Sequence, residues 1–255
     1  KRDEITIKIA ACGVCHSDLS ATTGKIPYPP PLVLGHEAAG VVVEVGEGVT
    51  AFKEGDHVVS TFISMCGKCS QCVRGRPVLC ENARKAMFNL PDGTVRTKGA
   101  DGEPLNVFGA CGVMAEFATM HVDNCVKVDE TVPMQNAALV GCAVMTGVGA
   151  VFNTAKLEPG SRAAVFGIGG VGLNAIQGCV TAGAEMIVAV DSNPAKLAMA
   201  KEFGATHTVN INEVEDAAKA VKKMTGGVDY AFECVGAGPV VEQAYKSLGR
   251  GGTAV

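Results

Sequence analysis

Ala163-Ala164-Val165-Phe166-Gly167-Ile168-Gly169-Gly170-Val171-Gly172 decides the fold of the second half of this chain. A short apolar run reads as a buried strand, Gly-x-Gly-x-x-Gly follows it, and the residues after the loop read as a helix. An acid, Asp191, ends the next β-branched run, Ile187 to Val190. In that setting each glycine has a task. Gly167 permits a tight turn, Gly169 lets backbone approach a pyrophosphate, and Gly172 lets the helix pack against its strand. Ile168, Gly170 and Val171 complete a loop and helix N-terminus whose N–H groups face phosphates. Asp191 is expected to accept hydrogen bonds from the adenosine ribose hydroxyls and to repel a 2′-phosphate, so NAD is favoured over NADP. Lys196, one helical turn on, either reaches the same ribose or is a solvated surface lysine.

Outward from this loop, the runs Thr206 to Val209, Val228 to Phe232 and Thr253 to Val255 alternate with helical segments, the pattern of a parallel α/β sheet of the Rossmann kind. Asn193 with Pro194 predicts a helix start, Gly204 a stop, and Asn212 the opening of another helix closed near Gly226 and Gly227. Four strands and the beginning of a fifth are legible where six are usual, and Ile5, Ile7 and Ile9 place the first residues inside a strand, so the sequence reads as a fragment missing material at both ends. Gln135 to Ala155 predicts a buried helix joining two domains, with Gly147 and Gly149 permitting close packing. Before about Pro133 the chain is irregular and β-rich, with runs such as Gly40 to Val45 and His57 to Phe62. The expected domains are 1–143 and 144–255.

The chain has 255 residues, 47% hydrophobic and 19% charged, with 22 Lys and Arg against 26 Asp and Glu. That balance leaves no basic footprint for nucleic acid. Glycines interrupt the apolar stretch Ala137 to Val151, so no uninterrupted run of ~18 apolar residues predicts a membrane span. The opening Lys1-Arg2-Asp3-Glu4 is not a signal peptide, and a reducing cytosol is the expected compartment.

Eleven cysteines in a long, Val/Ala-rich chain point to metal rather than to a disulfide scaffold. Cys66-x2-Cys69-x2-Cys72-x7-Cys80 lets three thiolates converge from one loop and a fourth close a tetrahedron, the pattern of a structural zinc; an iron–sulfur cluster is another use of the same ligands. Cys15, His36 and Cys142 would make an open N/S site. Singly, Cys142 reads as a core cysteine and His36 as a turn histidine. Cys12, Cys111, Cys125, Cys179 and Cys234 read as small packing residues.

Gly13-Val14-Cys15-His16-Ser17-Asp18, Gly35-His36-Glu37, the cysteine lobe, Gly141-Cys142, Thr146-Gly147 and the Gly167 to Gly172 loop with Asp191 together resemble the zinc-dependent alcohol dehydrogenases of the medium-chain dehydrogenase/reductase family. Asn153 to Gly160 and Gly227 to Cys234 look like its glutathione-dependent formaldehyde dehydrogenase branch. The resemblance implies a β-rich, GroES-like catalytic domain with a partly open barrel, a Rossmann domain, and a zinc in the cleft between them. It implies two zinc ions: Cys15, His36 and Cys142 take the catalytic one, and Cys66, Cys69, Cys72 and Cys80 the structural one. Glu37 is then a neighbouring or transient ligand and Asp18 orients the His36 imidazole. Ser17 carries the alcohol's proton away, His16 contacts the pyrophosphate, and Thr146 packs near the nicotinamide.

The implied activity is NAD-dependent oxidation of an alcohol to an aldehyde or ketone, by a homo-oligomer acting on a small molecule. The alternatives are oxidation of S-(hydroxymethyl)glutathione, and a zinc- and NAD-binding fragment without turnover. Where several family members carry a histidine that ends the proton relay, this chain has Ser20, which does not titrate near neutral pH; His57, His121 and His207 read as structural. The pocket walls are expected from loops such as Met87 to Val107.

Overall fold

The structure, a computed structural model, describes residues 2–83 and 94–255. It forms two compact units, Lys1–Cys142 and Ala143–Val255. The first part of the Met87 to Val107 segment lies outside the described residues.

The first unit contains, in chain order, β1 (Glu4–Cys12), α1 (His16–Thr22), β2 (Leu32–Val33), β3 (Ala38–Val45), β4 (His57–Ser60), α2 (Ser70–Val73), β5 (Asn106–Val107), β6 (Phe117–His121), β7 (Cys125–Lys127) and α3 (Met134–Leu139). Five strands make an antiparallel sheet in the order β6-β1-β3-β4-β7, while β2 and β5 pair separately. Alternation sets the buried face. Ile5 and Ile7, each 1% exposed, point into a core with Val42, Val58, Val113 and Met120. Register shifts after Thr6 and Ile9 bend β1 along β3, and Gly40 lets the two strands close up, since a Cβ there would stand 2.3 Å from the Lys8 carbonyl oxygen. The run expected to Phe62 leaves the sheet after Ser60.

Met134 begins a helical stretch that continues to Ala155. Within it, α3 and α4 (Met145–Gly149) are separated by a π turn, Val140–Val144, and α4 is followed by another, Ala150–Ala155. By length and composition this 22-residue stretch is apolar enough to cross a bilayer, an 18-residue window within it having mean hydropathy 1.6, which the glycine-broken sequence does not suggest. Its residues pack instead on protein: Ala137 and Ala138 against Ala39 and Val59, and Val151 among Val165, Ile176 and Cys179. The expectation of a buried helix is only partly met, because Leu139, Val140, Met145 and Phe152 are exposed. Gly147 does serve close packing, a Cβ there falling 2.5 Å from the Val171 carbonyl oxygen; Gly149 has only Asn153 Nδ2, at 3.7 Å.

After α4 the second unit runs β8 (Arg162–Phe166), α5 (Gly170–Thr181), β9 (Met186–Asp191), α6 (Pro194–Glu202), β10 (His207–Asn210), α7 (Ala217–Thr225), β11 (Val228–Glu233), α8 (Gly238–Ser247) and β12 (Leu248–Ala254). The strands form one parallel sheet in the order β10-β9-β8-β11-β12. The central strands β8 and β9 are buried on both faces, which is why they read as continuous apolar runs. Ala163, Val165, Ile187 and Ala189 face one core, and Ala164, Phe166, Val188 and Val190 the other.

Two sequence expectations are corrected here. The fifth strand is seven residues long and begins at Leu248, not Thr253. Leu248-Gly249-Arg250-Gly251-Gly252 lacks β-branched residues, so it does not read as strand, yet Val228 pairs with Leu248 and Tyr230 with Thr253 across a register shift that absorbs the glycines. Asn212 opens no α-helix. It sits in a 3-10 turn capped by Asn210, and α7 starts at Ala217 behind its N-cap Asp216, whose side chain accepts a hydrogen bond from Lys219 N–H.

Candidate functional site

In the first unit, Cys15 is the N-cap of α1, His36 follows the turn at Gly35, and Cys142 lies in the π turn after α3. Such turns recur at functional sites because the widened backbone re-aims a side chain. Gly141 seats this one: a Cβ at Gly141 would be 2.6 Å from the Ser60 carbonyl oxygen and 3.4 Å from Glu37 Cα. The three donor atoms lie within 4.8 Å of one another, and the Cys15 and Cys142 sulfurs are 3.9 Å apart. Two thiolates at Zn–S distances on a tetrahedron stand ~3.8 Å apart. The donors therefore fit a zinc ion with a fourth position open.

The electrostatics agree. Cys142, then His36, then the Ser17 N–H and hydroxyl draw the Cys15 thiol down to about 3. Burial works against a charged His36, but the Cys15 sulfur and the Asp18 and Glu37 carboxylates outweigh it and raise the imidazole. Phe62 and Phe108 meet the His36 ring edge-on at centroid distances of 5.4 and 5.1 Å, walls that sequence reasoning missed because no spacing marks them.

Asp18 and Glu37 are both buried, at 3% exposure. Asp18 accepts from Cys15 N–H at 3.0 Å and from Gly35 N–H at 2.9 Å. His36 Nδ1 is 3.4 Å from Asp18 Oδ1, an ion-pair distance without a hydrogen bond. The Glu37 side chain lies where Gly13 has none: a Cβ at Gly13 would be 2.6 Å from Glu37 Oε1. Ser17 is half-buried on α1 beside Cys15, and His16 is exposed at its first position.

Cys66, Cys69, Cys72 and Cys80 form the second cluster, also within 4.8 Å, with Cys69 and Cys80 sulfurs 4.0 Å apart. Asn82 Nδ2 donates to Cys66 Sγ at 3.3 Å, and with the N–H groups of Lys68 and Cys69 brings that thiol down to about 6. Cys69 is lowered by the N–H groups of Cys72 and Glu81. Cys72 is pushed up to about 12 by burial and by Cys69 beside it. Four thiolates this close ionise together only around a cation, so this donor set also fits zinc. Asn82 was not foreseen; an amide two residues past the last ligand has no recognisable spacing.

In the second unit the dinucleotide loop has the geometry its glycines demand. Gly167 has φ +90°, a conformation L side chains rarely adopt. A Cβ at Gly172 would fall 1.9 Å from the Gly167 carbonyl oxygen, whereas one at Gly169 would meet nothing within 4 Å. Gly169 caps α5, and Gly170 and Val171 form its first turn, leaving unpaired N–H groups at the open face of the loop. Asp191 Oδ2 accepts from Ile168 N–H at 2.7 Å and Oδ1 from Asn193 N–H at 2.9 Å, and Lys196 Nζ is 4.0 Å from Oδ2. Thr146 is exposed on α4.

A parallel sheet with a glycine loop, joined in one chain to a β-rich unit with a three-donor and a four-thiol cluster, defines a zinc-binding dehydrogenase. Residues 1–130 match the alcohol dehydrogenase GroES-like domain and residues 170–255 the zinc-binding dehydrogenase domain. The chain belongs to the zinc-dependent alcohol dehydrogenase family. It is 40% identical over 261 residues to S-(hydroxymethyl)glutathione dehydrogenase of Paracoccus denitrificans, covering 98% of this chain and 70% of that protein. The Escherichia coli O1:K1 protein of the same name is 41% identical over 258 residues, covering 98% and 69%. Among solved structures, an alcohol dehydrogenase zinc-binding domain protein from Burkholderia ambifaria superposes with TM-score 0.92 at 40% identity, over 99% of this chain and 69% of that one. Benzyl alcohol dehydrogenase from Acinetobacter calcoaceticus gives 0.88 at 36% identity, over 100% and 69%.

Proposed function

We propose that this protein oxidises an alcohol to an aldehyde or ketone with NAD as acceptor, at the site built by Cys15, His36 and Cys142. The observation that carries the reading is that cluster: two thiols and an imidazole converge, three donors where a structural zinc takes four, so that a fourth position is left for substrate as at a catalytic zinc. Zinc held there supplies a Lewis acid that lowers the pKa of a substrate hydroxyl, and NAD supplies the two-electron acceptor.

The chain's residues do the rest. Ser17 takes the hydroxyl proton and passes it to solvent, since Ser20 does not titrate in that range. Glu37, pressed against Gly13, stays beside the ligands as a neighbouring carboxylate. The N–H groups of the Gly167 to Gly172 loop receive the pyrophosphate, with His16 as a further contact. Asp191 accepts the ribose hydroxyls on lone pairs its two backbone bonds leave free, Lys196 lies at the same edge, and Thr146 sits by the nicotinamide. None of the eleven cysteines is in a disulfide, which supports a reducing, cytosolic setting.

A second reading, oxidation of S-(hydroxymethyl)glutathione, is favoured by the name of the relatives that share 40–41% of their aligned residues with this chain. NAD reduction by the zinc-loaded protein, measured across simple and aromatic alcohols and the glutathione adduct, separates the two. A kcat/KM at least tenfold higher for the adduct selects the second reading. No zinc-dependent reduction with any of them refutes both.

A further inference from the structure

We infer that Asn82 is a fifth working residue of the four-cysteine site: its side-chain N–H bonds the Cys66 sulfur and blunts that one ligand as a nucleophile. The inference rests on the reading of Cys66, Cys69, Cys72 and Cys80 as a zinc site. Asn82 Nδ2 donates to Cys66 Sγ at 3.3 Å across a separation of 16 residues. Cys66 opens the lobe and Cys80 closes it, so Asn82 reaches back from the exit to the entry.

The exit turn is fastened on both sides of this contact. Cys66 N–H donates to Cys80 Sγ at 3.5 Å, so the entry and the exit exchange hydrogen bonds. Ser70 Oγ donates to Glu81 Oε1 at 2.6 Å, which ties the residue before Asn82 to α2, and Ala83 N–H returns to the Cys80 carbonyl at 3.2 Å. The amide is therefore carried to the sulfur by a turn whose neighbours are already held.

The consequence is chemical. A thiolate on zinc keeps lone pairs outside the metal bond, and these attack electrophiles. Cys80 is buried, whereas Cys66, Cys69 and Cys72 are half-buried and can be reached. A donor on the Cys66 sulfur makes a charge-assisted hydrogen bond that engages such a lone pair, so the protection falls on one corner of the tetrahedron. An asparagine that only filled the turn would favour none of the four.

The test is Asn82→Leu, which keeps nearly the same shape, adds no charge and removes the N–H. Zinc-loaded protein is treated with limiting iodoacetamide in excess zinc, so that each molecule is modified at most once, and peptide mapping gives the initial rate at each cysteine. Cys66 is expected to react roughly fivefold faster or more than in wild type, with Cys69 and Cys72 within about twofold. Unchanged rates, or rates that rise together at Cys66, Cys69 and Cys72 as in a loosened lobe, overturn the inference. If the variant takes up no zinc at the four cysteines, wild type loaded with NMR-active cadmium decides. Scalar coupling between the Asn82 side-chain amide protons and the metal, which an N–H···S–metal path carries, sustains the inference, and its absence sinks it. Wild-type protein whose four cysteines take up neither zinc nor cadmium fails the zinc reading itself, and this inference with it.

Discussion

Gly172→Ala and Gly169→Ala, three residues apart in one loop, are expected to fail in opposite ways. At Gly172 the added methyl carbon would sit 1.9 Å from the Gly167 carbonyl oxygen, where real contacts begin near 3.0 Å. The neighbour is backbone, so the start of α5 must retreat by roughly 1 Å, or the turn at Gly167 must open; overpacking of this kind costs about 1–3 kcal/mol. The upper part of that range applies, because no flexible side chain is there to yield. For a unit of this size, a loss of ~2–3 kcal/mol lowers the melting temperature by roughly 8–12 °C. At Gly169 the methyl meets nothing within 4 Å, and φ is −96°, so stability should stay within ~0.5 kcal/mol of wild type. The same methyl stands on the face where we place the pyrophosphate, so NAD affinity should fall at least tenfold. Thermal melts and NAD titration by fluorescence measure both quantities. A Gly172→Ala protein as stable as wild type, or a Gly169→Ala protein that binds NAD normally, would refute the assignment of these glycines.

Elemental analysis of protein never exposed to chelators should find two zinc ions per chain; Cys142→Ser should retain one and stay folded, Cys69→Ser should lose stability, and one zinc or none in wild type would contradict the two-site reading. Asp191→Asn removes the negative charge that faces the ribose. The loss of a charge-assisted hydrogen bond, ~1.5–3 kcal/mol, predicts about a ten- to hundredfold weaker NAD complex and a preference shifted toward NADP, and an unchanged NAD-to-NADP affinity ratio in paired titrations would count against it. Burial pushes the Cys111 and Cys179 thiols up to about 12, above the ordinary value near 8.5. Their contribution to stability is therefore full below about pH 8.5 and is lost as the pH rises toward 12, where the unfolded chain ionises first. The urea midpoint should fall between pH 8 and 10, and a Cys179→Ala variant should show a shallower fall.

What the sequence makes legible here is whatever rests on short-range spacing. The cysteine lobe and the strand, glycine loop and acid of the second unit each lie within one supersecondary unit, so geometry follows from the order of residues. Cys15, His36 and Cys142 converge only through the tertiary fold, and the three became a set by resemblance alone. The errors are of the same origin. Leu248 to Gly252 is strand because Val228 and Tyr230 have partners to offer, not by propensity, and the π turn that aims Cys142 depends on the contact of Gly141 with Ser60, remote in the chain. Phe62, Phe108 and Asn82 touch the sites only because the backbone around them is already placed.

The two acids that matter most share a property that neither motif states. Asp18 accepts from Cys15 and Gly35 N–H groups, and Asp191 accepts from Ile168 and Asn193 N–H groups. In each case a carboxylate beside a ligand site also ties down the backbone that forms the site. Such acids have two reasons to be aspartate: a short side chain that reaches neighbouring N–H groups, and a charge at the site. Lengthening either to glutamate would keep the charge and move the acceptor atoms about one methylene outward, breaking the backbone bonds first. Activity lost on replacing either residue therefore cannot be assigned to direct chemistry until a measurement on the backbone, such as metal retention beside Asp18 or loop amide exchange beside Asp191, has been made on the same variant.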